Sequence, residues 1–513
     1  MSLFATLQQS RFQEQLKKYN TQKAKLCHLL TPQRLSKYVI YNRYLAYYYA
    51  TNQIETESLQ LFQEITDELQ VIPRYQALLS GQRSNISENR QVNHHKTRSQ
   101  DRGFYGEQQA RIADFAKKVH QGKIHAPSGK PFKHLILIGI GGSYLSVEAF
   151  YEALNVYAVA TDLHCKLTID FVANIDPLDL AVKLQERPFD QTLFLVISKS
   201  GSTQEIAENI TALETAAQKQ NIDQETLAEQ SICVTCEGSP LDNPARFCQR
   251  FYIDDAIGGR YSLTSAVGIL PLSLRFGSSC VEAILTGAFS MDKAAKNPDI
   301  TQNMALLDAF IGIWEHSFLG YQSKAIIPYS TALHRFPAHL QQLICESNGK
   351  SVLATSEALA YTGSPLIFGE PGTQAQHSFF QQLHQGKEIV PIQFIGFKET
   401  LLETSAAKEA HQKLNTNMLA QMMALALGKE SEDPNQHFPG NRPSTLLLGR
   451  TLSPEALGAM LAFYENKTMF EGFLLGINSF DQPGVQLGKK LCQRFLEEED
   501  LNPLEKGFCN LLE

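Results

Sequence analysis

The sequence predicts an α/β protein built on two parallel sheets, each covered by helices, with helical extensions at both ends. Three observations predict it. Short apolar, β-branched runs alternate with stretches of helical periodicity. The alternation occurs twice, once after Lys133 and again beyond residue 300. Several of the runs end in turns rich in Gly, Ser and Thr, where open α/β sheets hold their ligands.

The first group of strands is expected at 134–138, 167–174, 193–199, 232–236 and 251–254, with helical stretches such as 205–218 between them. The second is expected at 324–329, 365–369, 389–397 and 445–448. Residues 1 to 120 read as helices, because apolar residues recur at helical spacing through Leu26-Leu29-Leu30, Leu59-Leu61-Phe62 and Ile65-Leu69. His94 and His95 are adjacent, so they point in different directions and read as loop residues rather than a metal pair. Helices are also expected at 303–319, which carries the single tryptophan Trp314, and from Phe336 to Glu346. Asn348-Gly349 is a stop signal after the latter, and Gln342 and Glu346 share its face at i, i+4. Ser453-Pro454 opens a long helix through Phe463 and Phe470 to Leu475, with Ser as N-cap and Pro at the first helical position.

Composition narrows the function classes. The chain has 513 residues, which suggests two to four domains able to form cores without disulfides. A net charge of −7 with pI near 6.1 argues against a general nucleic-acid binder. The 9 cysteines are scattered and odd in number, which favours a reducing compartment. Cys233 and Cys236 form a C-x-x-C without a second ligand pair, so a structural role is expected. The first residues lack the basic-then-apolar pattern of a signal peptide. No run approaches the ~18 apolar residues of a membrane span. A cytoplasmic protein is expected.

The densest stretch is LFLVISKSGSTQEI, from Leu193 to Ile206. A buried strand runs into Ser198, Lys199, Ser200, Gly201, Ser202 and Thr203, and Glu205 stands in the first turn of the following helix. Thr203 or Ser202 is a plausible N-cap. Strand, hydroxyl-rich turn and helix start form an arrangement that binds an anion, a phosphate above all. Such turns also occur merely as helix caps, and the stretch alone leaves both readings open. It is not a Walker loop. The turn Gly139-Ile-Gly-Gly142-Ser143 is likewise placed at a strand end. It has Tyr144 where a dinucleotide fingerprint needs its third glycine, so it reads as an anion or sugar site. Gly258-Gly259 lets the backbone turn sharply before Arg260.

Taken together, these loops resemble the glucose-6-phosphate (phosphoglucose) isomerase family. The matching motifs are Gly139-Ile-Gly-Gly-Ser143, Ser198-Lys-Ser-Gly-Ser-Thr203, Gly259-Arg260-Tyr-Ser, Glu346-Ser-Asn-Gly-Lys350, Gly369-Glu-Pro-Gly-Thr-Gln-Ala-Gln-His377 and Phe480-Asp-Gln-Pro-Gly-Val-Gln-Leu-Gly-Lys489. They keep the family's order across residues 130–490. The resemblance implies two sugar-isomerase (SIS-type) doubly wound domains, at 121–290 and 291–495. A helical extension at 1–120 and a tail at 496–513 complete that division.

The resemblance also implies an aldose–ketose isomerase of glycolysis and gluconeogenesis that needs no metal or cofactor. Glu346 matches the base that moves a proton between C2 and C1. Arg260 matches the cation that stabilises the enediolate, and His377 and Lys489 match groups that open the sugar ring. Gly142, Ser143 and the loop of Ser198, Lys199, Ser200, Ser202 and Thr203 match the phosphate site, and Gln342 a substrate contact. The family's histidine comes from the neighbouring subunit, which implies a homodimer acting on a small sugar phosphate, with no nucleic acid or membrane partner. Two positions depart from the pattern. Gln486 stands where the family has Glu, and Gly201 where animal enzymes have a bulkier residue. A non-catalytic sugar-phosphate sensor and an isomerase that also takes mannose 6-phosphate are the alternative readings.

The residue types suit the chemistry. An aldose–ketose shift needs one base that takes a proton from carbon and returns it to the next carbon, and a carboxylate can do both. The developing enediolate needs a fixed positive charge, and arginine stays protonated.

Overall fold

The computed structural model describes residues 25–81, 84–359, 361–497 and 501–512. The start of the chain, read above for a leader pattern, lies outside them. The strands in chain order are β1 (Val39–Tyr41), β2 (Leu45–Tyr48), β3 (Ser84–Asn85), β4 (Arg90–Gln91), β5 (His134–Ile138), β6 (Thr168–Val172), β7 (Thr192–Ile197), β8 (Ser231–Thr235), β9 (Gln249–Tyr252), β10 (Ser323–Pro328), β11 (Leu366–Phe368), β12 (Ile392–Phe397) and β13 (Ser444–Gly449). All nine strands expected from the two alternating halves are present within a few residues of their expected bounds.

The first sheet has the order β6-β5-β7-β8-β9 and is parallel throughout. The chain lays down β5, steps out to β6, then returns to the other side of β5 for β7. That reversal separates the loops after β5 and β7 and opens a crevice at the carboxyl edge. The turns 139–143 and 198–203 lie there. All residues of β7 and β8 are buried, as expected for strands covered on both faces.

The second sheet has the order β1-β2-β13-β12-β10-β11. Its four later strands are parallel. Its other edge is a finding against the expectation that residues 1–120 are helical. Residues 39–48 form a hairpin, and β2 pairs antiparallel with β13, Tyr48 opposite Leu446. The aromatic residues of this segment suit a pleated, half-buried surface. The rest of the expected helical region does contain helices, notably Thr56–Glu68, Val71–Leu79 and Phe104–His120.

Strand alternation divides the core. Leu135 and Leu137 of β5 face a central core shared with Ile395 and Phe397 of β12, while Ile136 and Ile138 face a second core beneath the helices Pro177–Glu186 and Gln204–Lys219. Ile392 and Phe394 face a third, with Met418 and Met422 of the helix Ser405–Leu427. Through the central core runs the helix Pro454–Leu475, of which every residue but Glu455 is buried. Its start follows the sequence: the Ser453 hydroxyl accepts from Ala456 N at 3.2 Å, with Pro454 at the first position. The helix expected over 303–319 is an α-helix, Met304–Ile313, that continues as a π turn, Trp314–Phe318. Among the described residues no helix is long and apolar enough to cross a membrane.

Candidate active site

The helix after β10 carries the site's carboxylate. It begins as Phe336–Gln341 and becomes a π turn over Gln342–Glu346, where a plain α-helix was expected. Such turns hold one extra residue and concentrate at functional sites. Glu346 is at its end. Its Oε1 lies 3.2 Å from Arg260 Nη1, with the arginine side chain 1% exposed and the glutamate 25%.

Arg260 is held from every side. Nε donates to Ser347 Oγ at 2.6 Å, Nη1 to Gln482 Oε1 at 2.9 Å, and Nη2 to the carbonyls of Ser479 and Asp481 at 2.8 and 3.1 Å. Lys350 closes the ring: its ammonium donates to the Glu346 carbonyl at 3.2 Å and pairs with Asp481 Oδ1 at 2.9 Å. Burial lowers the Lys350 pKa, and Asp481 opposes that shift.

The loop of Arg260 touches the glycine turn backbone to backbone. A Cβ on Gly142 would lie 2.2 Å from the Gly259 carbonyl carbon, so position 142 admits glycine alone at this spacing. The Ser262 hydroxyl donates to the Gly142 carbonyl at 3.3 Å. Gln342 faces the same turn from the second half, since a Cβ on Gly141 would lie 3.3 Å from its Nε2. Its Oε1 is buried without a partner among the described residues, an acceptor open to a ligand donor. Ser143 is half-buried, on the short turn that leads into the helix Leu145–Ala160. The two halves are also tied by Arg335, which bonds Glu148 at 2.5 Å and the Tyr144 hydroxyl at 2.7 Å.

In the second turn, Gly201 has φ +67, and a Cβ there would stand 2.9 Å from Ser239 Oγ and 3.0 Å from Leu241 N. Both facts call for glycine. Ser198 is buried and its hydroxyl bonds Thr203 Oγ1 at 3.1 Å and accepts from Gly201 N at 3.2 Å. Thr203 is in the N-cap position, but its hydroxyl bonds Ser198 rather than a helix N–H. Among the described residues no side chain caps this helix start, so its first N–H groups face the turn. Ser200 and Ser202 are exposed, hydroxyl to hydroxyl at 3.2 Å. Lys199 Nζ donates to the carbonyls of Asp255 and Ile257 at 2.5 and 3.0 Å, which ties this turn to the loop that leads into Arg260.

Two expected residues stand apart from this cluster. His377 is exposed, just after the helix Gly372–Gln376. Lys489 is exposed in the first turn of the helix Gln486–Glu497, in which no residue is buried, and Gln486 opens that helix. Among the described residues no hydrogen bond or ion pair joins either side chain to Arg260 or Glu346.

His94 and His95, expected in a loop, are buried on a short 3-10 helix, His94–Arg98, behind the Arg260 loop. The His94 ring stacks on Tyr261 at 4.8 Å, and Tyr261 shares Ser347 Oγ with Arg260. Sequence reading missed these supports. Ser347, Lys350 and Asp481 did lie within the quoted motifs; His94 carried no comparable signal. Cys233 is buried, its thiol donating to the Leu241 carbonyl at 3.5 Å. Among the described residues no three His, Cys, Asp or Glu side chains gather as metal ligands.

Two doubly wound sheets, with glycine and hydroxyl turns at the carboxyl edge of the first and the glycine turn facing Gln342 of the second half, make this a double sugar-isomerase-type α/β protein. A crystal structure of a glucose-6-phosphate isomerase from Chlamydia trachomatis superposes with a TM-score of 0.88 at 36% identity, covering 97% of each chain. The family model described as phosphoglucose isomerase matches residues 48–508, and the chain belongs to that family. Similar curated proteins include the glucose-6-phosphate isomerases of Treponema denticola, 45% identical over 91% of this chain and 90% of that one, and of Borreliella afzelii, 42% identical over 92% of each.

Proposed function

We propose that the chain interconverts D-glucose 6-phosphate and D-fructose 6-phosphate through ring opening and a cis-enediolate, as a step of glycolysis and gluconeogenesis. The observation that carries this reading is the Glu346–Arg260 pair, a carboxylate 3.2 Å from an almost fully buried guanidinium. Glu346 removes the proton from C2 of the open aldose and returns it to C1, while the proton of the C2 hydroxyl passes to O1. Arg260 stabilises the enediolate oxygen between the two transfers. Its charge is fixed before the reaction, so no reorganisation is needed when the oxyanion forms.

Ser198, Ser200, Ser202 and Thr203 bind the phosphate with the open N–H groups of the Gln204–Lys219 helix, and Gly142 and Ser143 form the facing wall. Lys199 supports this loop through its bonds to the carbonyls of Asp255 and Ile257. Gln342 offers its unpartnered Oε1 to a sugar hydroxyl. Holding the phosphate orients C1 and C2 at the base without contacting them. His377 and Lys489 open the ring. The exposure of His377 supports its action in the site of a partner subunit, so the active form is a homodimer. All the cysteines are free thiols, which supports a cytoplasmic location.

The test is a coupled assay of the purified chain with fructose 6-phosphate, glucose 6-phosphate and mannose 6-phosphate. Conversion between the first two is expected. A folded, dimeric preparation that binds sugar phosphate without converting it would be a sensor instead.

A further inference from the structure

The central helix Pro454–Leu475 buries charges that no apolar core requires. Lys467 Nζ lies 3.3 Å from both Asp308 Oδ2 and Glu471 Oε1, and all three residues are buried. Replacing buried ion pairs by well-packed apolar residues is often neutral or stabilising, so stability alone does not account for them. The network leads outward to the site. The other oxygen of Glu471, Oε2, accepts from Asn348 Nδ2 at 2.9 Å. Asn348 Oδ1 accepts from Ser479 Oγ at 2.7 Å, and the Ser479 carbonyl accepts from Arg260 Nη2. Two glycines make room for this line. A Cβ on Gly472 would stand 2.0 Å from Ser479 Oγ, and one on Gly312 would stand 2.7 Å from Glu471 Oε1.

We propose that Glu471, Asn348 and Ser479 are positioning residues that fix Arg260 in its orientation toward Glu346. The inference rests on the functional reading above. Asn348 is the pivot, because its amide is oriented by a carboxylate on one side and a hydroxyl on the other. Its backbone lies two residues beyond Glu346, so one side chain sets both the helix end that carries the base and the strap, Ser479 to Gln482, that holds the cation. A guanidinium released from this line turns within its pocket. The enediolate then meets it at a poorer angle, while a substrate held by its phosphate still binds.

The test is steady-state kinetics on Ser479→Ala, Glu471→Gln and the double variant, with Tyr75→Phe as a control. Tyr75 bonds Asn466 on the same helix and has no part in the line. Each single variant is expected to lose ~10- to 100-fold in kcat, the range that small misplacements cost. KM is expected to stay within about twofold. The double variant is expected to be no worse than the poorer single one, because one line is being cut twice. Tyr75→Phe is expected to lower Tm and leave kcat unchanged. Ser479→Ala deletes one hydroxyl and keeps the carbonyl that Arg260 uses, so it is read even if Glu471→Gln fails to fold. Ser479→Ala with unchanged kcat, or losses that multiply in the double variant, overturns the proposal. An inactive parent chain overturns the functional reading instead.

Discussion

Arg260 Nη1 and Glu346 Oε1 stand 3.2 Å apart, yet the two residues come from different halves of the chain and different sheets. The arginine follows the last strand of the first sheet, and the glutamate ends a π turn after the first parallel strand of the second. The pair is asymmetric. Arg260 is fixed by four further bonds, whereas Glu346 keeps a quarter of its side-chain surface open to solvent. That asymmetry fits the proposed roles of a fixed cation and a base that must reach the substrate.

Glu346→Gln is expected to keep the shape of the site and lose the base. Turnover should drop by ~10²- to 10⁴-fold, the usual worth of a positioned base, with KM little changed. A coupled assay over a range of fructose 6-phosphate concentrations measures both. Near-normal turnover would sink the assignment of the base.

Mixing two inactive variants tests the subunit origin of His377. Dimers of Glu346→Gln with His377→Ala contain one site with both wild-type groups if the histidine crosses the interface. After denaturation and refolding of an equal mixture, random pairing should restore roughly a quarter of wild-type activity. A mixture that stays at the level of the parents would mean that His377 serves its own chain.

Gly142→Ala inserts a methyl group 2.2 Å from the Gly259 carbonyl carbon. The two loops must part, which moves Arg260 relative to the glycine turn. A loss of ~1–3 kcal/mol is expected from overpacking, together with a loss of activity larger than stability alone explains. Thermal denaturation and kcat/KM on the same preparation check it. Gly484→Ala, where a Cβ meets nothing within 4 Å, is the control for stability.

Buried histidines set a pH dependence of stability. Burial lowers His339 to about 4, and burial, partly offset by Asp292, lowers His95 to about 4. Burial also holds His94 well below 6.5. Each binds a proton in the unfolded chain below pH 6.5 but not in the fold until lower pH. Their contribution is complete above 6.5 and is lost as pH falls from 6.5 toward 4, by up to about 1.4 kcal/mol per pH unit for each. Glu465, raised by burial to about 7, and Glu315, also raised by burial, work in the opposite sense, but three histidines outweigh two carboxylates. Urea titrations from pH 7.5 to 4.5 should show the decline. His339→Leu should flatten it, since neither ring nitrogen of His339 has a partner among the described residues. An unchanged slope in that variant would count against its role.

The strands of both sheets were legible because strands covered on both faces must be short and apolar. The turns at the ends of β5 and β7 were legible because glycine and hydroxyl residues cluster where a strand turns into a helix. The π turn was not legible. Gln342 and Glu346 have the same spacing in either helix, and one extra residue per turn leaves no mark in the apolar pattern. Thr203 does take the N-cap position, but its lack of a capping bond was not legible, for a related reason. Sequence named the hydroxyl but not its competitor, and Ser198 takes the bond. His94 was misread because its partner Tyr261 lies far along the chain, and only the fold brings the rings together.

The hairpin of residues 39–48 has a consequence for how the molecule comes into being. Thr51 bonds Ser444 across 393 residues of sequence. The strand that completes the second sheet is thus made long before its partner β13. The first sheet, whose strands lie within 134–252, can assemble while synthesis continues. The hairpin must wait for β13, with its aromatic edge unsheltered while the residues between them are made. Non-local pairing of this kind is slow and open to misassociation. The vulnerable interval therefore lasts until β13 is made, and it concerns the second half, which carries Glu346.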